Sequence, residues 1–420
     1  MQYTGDMMEA GNHDSGITNV SQRGRNTKSV PRQRRHYCLP RFDILLICLA
    51  LVAAMTGCES TPERLEIWNW HDLYAIRDNL SGHYLLMTDL DPTTAGYWEL
   101  ASNAANQGKG WQPIGTADDP FKGTFDGQGY DVSGMFINRH DESLVGLFGA
   151  VDVGGVIQNV KVVNADMTGE WAVGGLVGEN CGDVRSSYSS GIMNGADCVG
   201  GLVGANTGTV SSCYSAANVT GHWDVGGLVG CSDSSGTVSN SCSVGDVTGE
   251  WAVGGLVGGN LGGIVAKSYS TGDITGDDYV AGLVGDNQGT VSNSYSIGSV
   301  IGEWYVGGLV GDNDFSGIVS NSYASGGVTG DSFVGGLVGS NWGTVSNSFW
   351  DIETSGTNES DGGTGKTTAA MQNIVTFTDT ATVGLDNPWD ITPVAPGETD
   401  SDFTWNTIIG QTHPFLSWQA

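Results

Sequence analysis

The stretch G-L-V-G-D-N-Q-G-T-V-S-N-S-Y-S-I-G-S-V-I-G-E-W-Y-V-G, Gly282 to Gly307, decides the fold. Its opening belongs to a six-residue phrase, V-G-G-L-V-G or a near copy, whose leucine recurs at Leu147, Leu176, Leu202, Leu228, Leu256, Leu283, Leu309 and Leu337. The intervals are 29, 26, 26, 28, 27, 26 and 28 residues. Self-similarity at such a period marks a solenoid, in which each coil buries its apolar face only against its neighbours. Most of the 67 glycines are thereby structural.

Within a coil the apolar positions follow strand period, and glycine or asparagine separates them. The reading is three short strands per coil. The first carries the leucines. The second carries Val184, Val210, Val238, Val265, Val291, Val319 and Val345, followed four residues later by Tyr188, Tyr214, Tyr269, Tyr295, Tyr323 and Phe349, with Cys242 interrupting the aromatic row. Side chains alternate along a strand, so residues four apart should share a face, and both rows are expected inside. The third adds Met193, Val219, Val247, Ile274, Val300 and Val328. Asparagines at Asn180, Asn206, Asn260, Asn287, Asn313 and Asn341 mark the first corner, where a stacked amide ladder is expected. The longer coils place extra residues (Ser232 to Gly236, Asp314 to Gly317) between the first and second strands. The expected fold is all-β, a parallel right-handed β-helix of about eight coils.

An open coil end exposes unpaired strand edges, so caps are needed. Trp70 to Leu80 has helix spacing, with Asn69 as its cap, and is read as closing the N-terminal end. Tyr84 to Leu90, Trp111 to Gly115 and Phe121 to Asn138 read as irregular first coils. The period is lost after Phe349, and the tail, with Trp389, Trp405 and Trp418, reads as a cap ending in an apolar strand from Pro414 to Trp418. The expected segments are 1–57, 58–66, 67–146, 147–350 and 351–420: signal, tether, N-terminal cap with first coils, repeat coils and C-terminal cap.

Arg32, Arg34, Arg35 and Arg41 precede an apolar run from Ile44 to Met55, which reads as an export signal and is too short to suit a membrane span. The stretch before it is long, and translation beginning at Val30 would leave a signal of ordinary length. Met55-Thr56-Gly57-Cys58 resembles the bacterial lipobox, which implies a lipid on Cys58 and a membrane anchor. Export permits disulfides, but Cys181, Cys198, Cys213, Cys231 and Cys242 fall at five different repeat positions. Cys213 and Cys242 are the one pair at nearly the same point of adjacent coils. With Cys242 expected inward and Cys213 outward, both read as small hydrophobes.

The chain holds 46 acidic and 16 basic residues, a formal charge of −30, so nucleic acid and anionic lipid surfaces are repelled. Gly365-Lys366-Thr367 is the tail of a phosphate-loop pattern, but Ser360 stands where its first glycine belongs. Polyuronate cleavage would need cationic side chains, and from Leu147 to Trp350 the bases are Lys161, Arg185 and Lys267. A hydrolase would need a paired set of carboxylates, whereas acids such as Asp277, Asp278, Asp312 and Asp314 sit in corner loops.

One row is a candidate ligand site. Before V-G-G-L, Glu170, Glu250, Asp277, Glu303 and Asp331 recur beside Trp171, Trp223, Trp251, Trp304, Tyr279, Tyr305 and Phe333. Flat aromatic faces with neighbouring acceptors suit neutral sugar rings, and the acids alternatively suit Ca²⁺. The preferred explanation is plainer: an external seam of packed rings, with acids for solubility. No cofactor is expected.

The repeated G-L-V-G with S-Y-S and V-T-G, the F-K-G-T-F-D-G opening at Phe121 to Gly127 and the F-W-D-I-E-T-S-G segment at Phe349 to Gly356 resemble the GLUG-motif family of bacterial surface proteins. That resemblance implies a surface or adhesin-like role, or repeats beside the catalytic part of IgA-type metallopeptidases. None of His71, His83, His140, His222 or His413 begins H-E-x-x-H, so the peptidase resemblance extends to an accessory portion alone. The expected protein is exported, lipid-anchored and non-enzymatic, for adhesion or envelope structure. The alternative is a carbohydrate-binding or polysaccharide-degrading β-helix. Its expected partners are the membrane and, at its surface, glycans or other surface proteins.

Overall fold

A computed structural model describes residues 64–419. The export signal, Val30 and Cys58 lie outside them. Each full coil runs through four parallel sheets rather than the expected three strands, and the coils stack into a β-solenoid. In chain order these are an asparagine sheet (V-G-x-N, 8 strands), a valine sheet (T-V-S, 11 strands), a tyrosine sheet (Y-S with V-T, 15 strands) and a tryptophan sheet (W-x-V-G, 7 strands). Like pairs with like: Val184 lies opposite Val210, and Val210 opposite Val238. The leucines belong to no strand. They sit fully buried at the bend between the tryptophan and asparagine sheets, where successive residues turn inward without breaking the stack.

The tyrosine row faces outward, against expectation. Between each valine and its tyrosine lies a residue in left-handed backbone, namely Ser186, Ser212, Asn240, Lys267, Asn293, Asn321 or Asn347, with φ from 46° to 53°. This corner shifts the alternation by one residue, so the serines flanking each tyrosine point in and the ring points out. Ser189 donates to Gly201 O at 2.7 Å, and Ser241 accepts from the backbone of Cys213 at 3.0 Å while donating to Ser239 O at 2.7 Å. The S-Y-S phrase is thus two inward serine ladders around one outward ring. The cysteine orientations reverse for the same reason. Cys213 replaces an inward serine and joins the main core, whereas Cys242 occupies the outward tyrosine row; both are buried free thiols.

The expected amide ladder is present. Asn260 Nδ2 donates to Asn287 Oδ1 at 2.8 Å, Asn287 to Asn313 at 2.7 Å, and Asn313 to Asn341 at 2.8 Å. Ser232 breaks the row and leaves the buried Asn260 Oδ1 without a donor. Asn313 precedes a loop as long as the one after Ser232, so the larger side chain fits this corner. Ser232→Asn should therefore raise stability by about 1 kcal/mol, read as a higher melting temperature. An unchanged or lower value would mean that the gap is filled by solvent.

At the N-terminal end the helix is shorter than expected, Trp70–Tyr74 followed by a 3-10 turn at Ala75–Asp78. Asn69 caps it by accepting from His71 N at 2.9 Å and Asp72 N at 3.1 Å, and Trp70, Leu73 and Ile76 close the core. The first strand, Arg64–Ile67, pairs with His83–Leu86 and begins within the stretch read as a tether. At the other end Trp350 enters the core in place of the inward serine, and Ser360 and Asp361 bond the backbone of Val338 at 2.9 and 3.0 Å. The chain then folds back over the outside of the tyrosine sheet. Met371, Phe377, Leu385, Trp389, Trp405 and Leu416 form a second core with Tyr295, Tyr323 and Phe349. Tyr323 donates to Pro414 O at 2.7 Å and Trp418 to Lys267 O at 3.0 Å. The apolar strand at the tail is Phe415–Leu416, antiparallel to Trp405–Thr407.

Candidate functional site

The tryptophan sheet brings the corner row into one register column: Trp171, Asp197, Trp223, Trp251, Asp278, Trp304 and Ser332 lie opposite one another in successive coils. Tyr279, Tyr305 and Phe333, grouped with the tryptophans by sequence, form a second column one residue on. That column is Ala172, Cys198, Asp224, Ala252, Tyr279, Tyr305 and Phe333, all with φ from 48° to 54°. The left-handed backbone re-aims these side chains, leaving Val173, Val199 and their equivalents to face the core.

The second column lies against the outer side of the asparagine sheet one coil later. Ala172, Cys198, Ala205 and Cys231 cluster there around Trp171, which is only 8 % exposed. The sheets approach so closely that a methyl on Gly226 would collide with Val229 O, and one on Gly258 with the backbone of Asp224 and Val225. The V-G-G-L-V-G glycines therefore serve an external seam as well as the coil turn. Within the seam Cys198 and Cys231 form a disulfide with Cα atoms 5.2 Å apart, a bond the sequence reading did not anticipate. Its signal was the separation of 33 residues, which Ala172/Ala205 and Tyr279/Asp312 share. One coil plus seven residues is the offset between facing columns, so a search for equal repeat positions misses it.

The rings form a chain along the rod. Trp223 and Trp251 have centroids 5.4 Å apart at 36°, Trp251 meets Tyr279 edge-on at 4.7 Å, and Tyr279, Tyr305 and Phe333 stack at 4.9 and 4.8 Å. Trp223 is 36 % exposed, Trp304 45 % and Phe333 55 %. The acids follow the coil edge in parallel: Asp277 O accepts from Glu303 N at 2.9 Å, and Glu303 O from Asp331 N at 3.1 Å. Glu250 pairs with His222 at 2.9 Å, while Glu170 is half-buried near the covered end. The acids thus run in a line. Among the described residues the one grouping of three or more metal-ligand residues with their atoms within 4.8 Å is Cys198, Asp224 and Cys231, where the two sulfurs are bonded to each other.

Burial dominates the seam carboxyls. The Asp286 carboxyl is pushed up to about 7, first by burial and then by the Asp224 carboxylate, with the Gln288 amide opposing. Burial alone pushes Glu179 up to about 7. Both values lie above those of an unfolded chain, so the protonated forms favour the fold below the unfolded pKa and that contribution is lost as pH rises through 7. Asp286→Asn is expected to raise the melting temperature at pH 8 and to leave it nearly unchanged at pH 4. An equal effect at both pH values would remove the titration from the explanation.

The GLUG motif model matches residues 249–275 and 302–329. Over 154 residues, 35 % of this chain, the sequence is 37 % identical to halomucin of Haloquadratum walsbyi. Over 105 residues, 24 % of the chain, it is 36 % identical to a protein of Evansella cellulosilytica described as a Gly-rich membrane protein. These matches span 2 % and 11 % of the relatives' own lengths. Among solved structures, an IgA1 protease aligns with TM-score 0.42 and 16 % identity over 70 % of this chain and 22 % of that one. A Bacteroides ovatus protein described as an immunoglobulin A1 protease aligns with TM-score 0.38 and 17 % identity over 87 % and 94 %. Neither alignment bears on activity. Among the described residues no helix is long and apolar enough to cross a membrane. The GLUG motif therefore falls on two coils of a parallel β-solenoid.

Proposed function

We propose that the protein is a non-enzymatic surface scaffold, held to the membrane by a lipid on Cys58, whose solenoid presents the tryptophan sheet for adhesion or envelope structure. The observation that carries this reading is the partly exposed ring chain from Trp223 to Phe333, in register over successive coils and flanked by a line of carboxylates. Packing of the rings against one another pre-orders them, so a ligand lying along the rod orders few side chains on binding. Flat aromatic surface with acceptors beside it suits sugar rings, which makes glycans the favoured partners. The resemblance of residues 55–58 to a lipobox supports the anchor, and the likeness to a Gly-rich membrane protein agrees with a place at the envelope.

A glycan array compares the wild type with a Trp223→Ala, Trp251→Ala double variant. Signal in the first and its loss in the second is expected; no signal, or an unchanged one, counts against the site. Incubation with neutral and acidic polysaccharides should release neither reducing ends nor unsaturated products, and release of either would assign the strip to catalysis instead. Mass analysis of the membrane fraction should show an acyl adduct that Cys58→Ala removes.

A further inference from the structure

The charge along the ring chain selects among glycans. We infer that its ligand is a linear polysaccharide whose units carry free amino groups, a cationic amino-sugar polymer lying along the rod axis; this rests on the strip being the glycan contact proposed above.

The repeat region places no lysine or arginine on the tryptophan sheet. Its three bases, Lys161, Arg185 and Lys267, belong to strands or corners of the tyrosine and valine sheets, where Lys161 pairs with Asp131 and Arg185 with Asp183. Just before the tryptophan strands, His222 Nδ1 lies 2.9 Å from Glu250 Oε1, near one end of the strip. Farther along, Asp277, Glu303 and Asp331 follow one another at one per coil. Asp278 stands in the tryptophan column itself, between Trp251 and Trp304. Its carboxyl is raised first by burial and then by the Asp277 and Glu303 carboxylates, so negative charge is crowded beside apolar rings.

An ammonium group suits this arrangement on both counts. It donates charge-assisted hydrogen bonds to carboxylates and is attracted by the face of a neighbouring indole. A neutral sugar would desolvate the same carboxylates without replacing their hydrogen bonds to water with equally strong ones, and a uronate would be repelled. Geometry separates a glycan from a basic peptide. Coils repeat every 4.8 Å or so, close to the length of one pyranose in an extended β-linked chain, and because successive units of such a chain face opposite sides, one amine can meet every second coil. Same-face residues of an extended peptide repeat at about 6.6 Å and lose register within two coils. The tilted Trp223–Trp251 and Trp304–Phe333 pairs, at 36° and 39°, leave parts of their ring faces open to sugar C–H groups.

Calorimetric titration of the full chain with a glucosamine hexamer, the N-acetylglucosamine hexamer, cellohexaose and hexalysine tests this. The free-amine hexamer should bind about tenfold or more tighter than its acetylated counterpart, and added salt should narrow that gap. Trp223→Ala with Trp304→Ala should weaken it about tenfold, and Glu303→Gln with Asp331→Asn should abolish the preference for the amine while sparing weak binding of the neutral hexamers. Unchanged circular dichroism confirms that these surface variants fold. Equal binding of acetylated and free-amine hexamers overturns the inference and leaves the glycan contact standing. Silence of all three glycans removes both. Hexalysine binding as tightly, with indifference to the tryptophan variants, would make the face a plain polyanion and also overturns the inference.

Discussion

Gly226→Ala is expected to cost about 4 kcal/mol or more and to abolish cooperative unfolding of the repeat region, although it adds one methyl group. Gly226 is not in left-handed backbone, so the cost is not conformational. It comes from space: the new carbon would fall inside the contact radius of Val229 O and press on Gly258 N of the next coil. Neither neighbour is a flexible side chain. Relief would require moving a strand that is hydrogen-bonded on both sides, and the displacement would pass to adjacent coils through the ladder. Gly327→Ala is the matched control. A methyl there has Thr354 O at 3.8 Å as its nearest neighbour, and the backbone is again not left-handed, so the substitution should be neutral or stabilising by up to about 1 kcal/mol. Chemical denaturation of both variants decides the matter, and equal midpoints would refute the seam as the reason for these glycines.

Trp405→Ala should also be severe, at about 3 kcal/mol, but the damage should fall elsewhere. Trp405 is fully buried in the second core, with its ring 5.0 Å from Trp389 and about 6 Å from Tyr295 and Tyr323. Its indole N–H has no acceptor, so deletion also removes an unpaired buried donor and holds the cost toward the lower end. This core meets the outward side chains of the tyrosine sheet and the backbone of its corners, as where Trp389 donates to Asn347 O at 2.9 Å, while the inner rows and Trp350 belong to the main core. The variant should lose protease protection and amide-exchange protection over residues 364–419 while the coils retain both. Simultaneous loss throughout the chain would show that the two cores are one cooperative unit.

Much of the fold was legible because stacking converts sequence period into spatial rows. Leucine, valine, asparagine and tyrosine each recur once per coil, and a parallel ladder has no other arrangement that pairs so many identical residues. The direction of each row was less legible. The spacing from Val291 to Tyr295 suggests one shared face, and the left-handed corner at Asn293 overturns it. A clue was present, since Asn240, Asn293, Asn321 and Asn347 occupy that corner and asparagine tolerates the conformation. Yet Ser186 and Lys267 adopt it as well, which no local preference would suggest. The tertiary ladder imposes the corner on whichever residue arrives there.

The candidate site divides in the same way. Its residues were visible from their recurrence before V-G-G-L, and so were the acids of the row, although His222 and not an acid precedes Trp223. Their separation into two columns was not, because one left-handed residue per coil decides which side chain joins the seam. The Cys198–Cys231 bond shows the same limit, since it joins columns rather than equal positions.

By itself, then, the sequence determined the period, the register and the composition of every row, because those are properties of a repeat read along one dimension. Tertiary structure decided which rows face inward and which outward rows stay uncovered. The tail settles against the tyrosines, whose column it buries from Tyr295 to Phe349, and leaves Trp223, Trp304 and Phe333 partly exposed. That choice depends on contact between segments far apart in the chain, where the free energy comes from matching apolar surfaces and not from any local pattern.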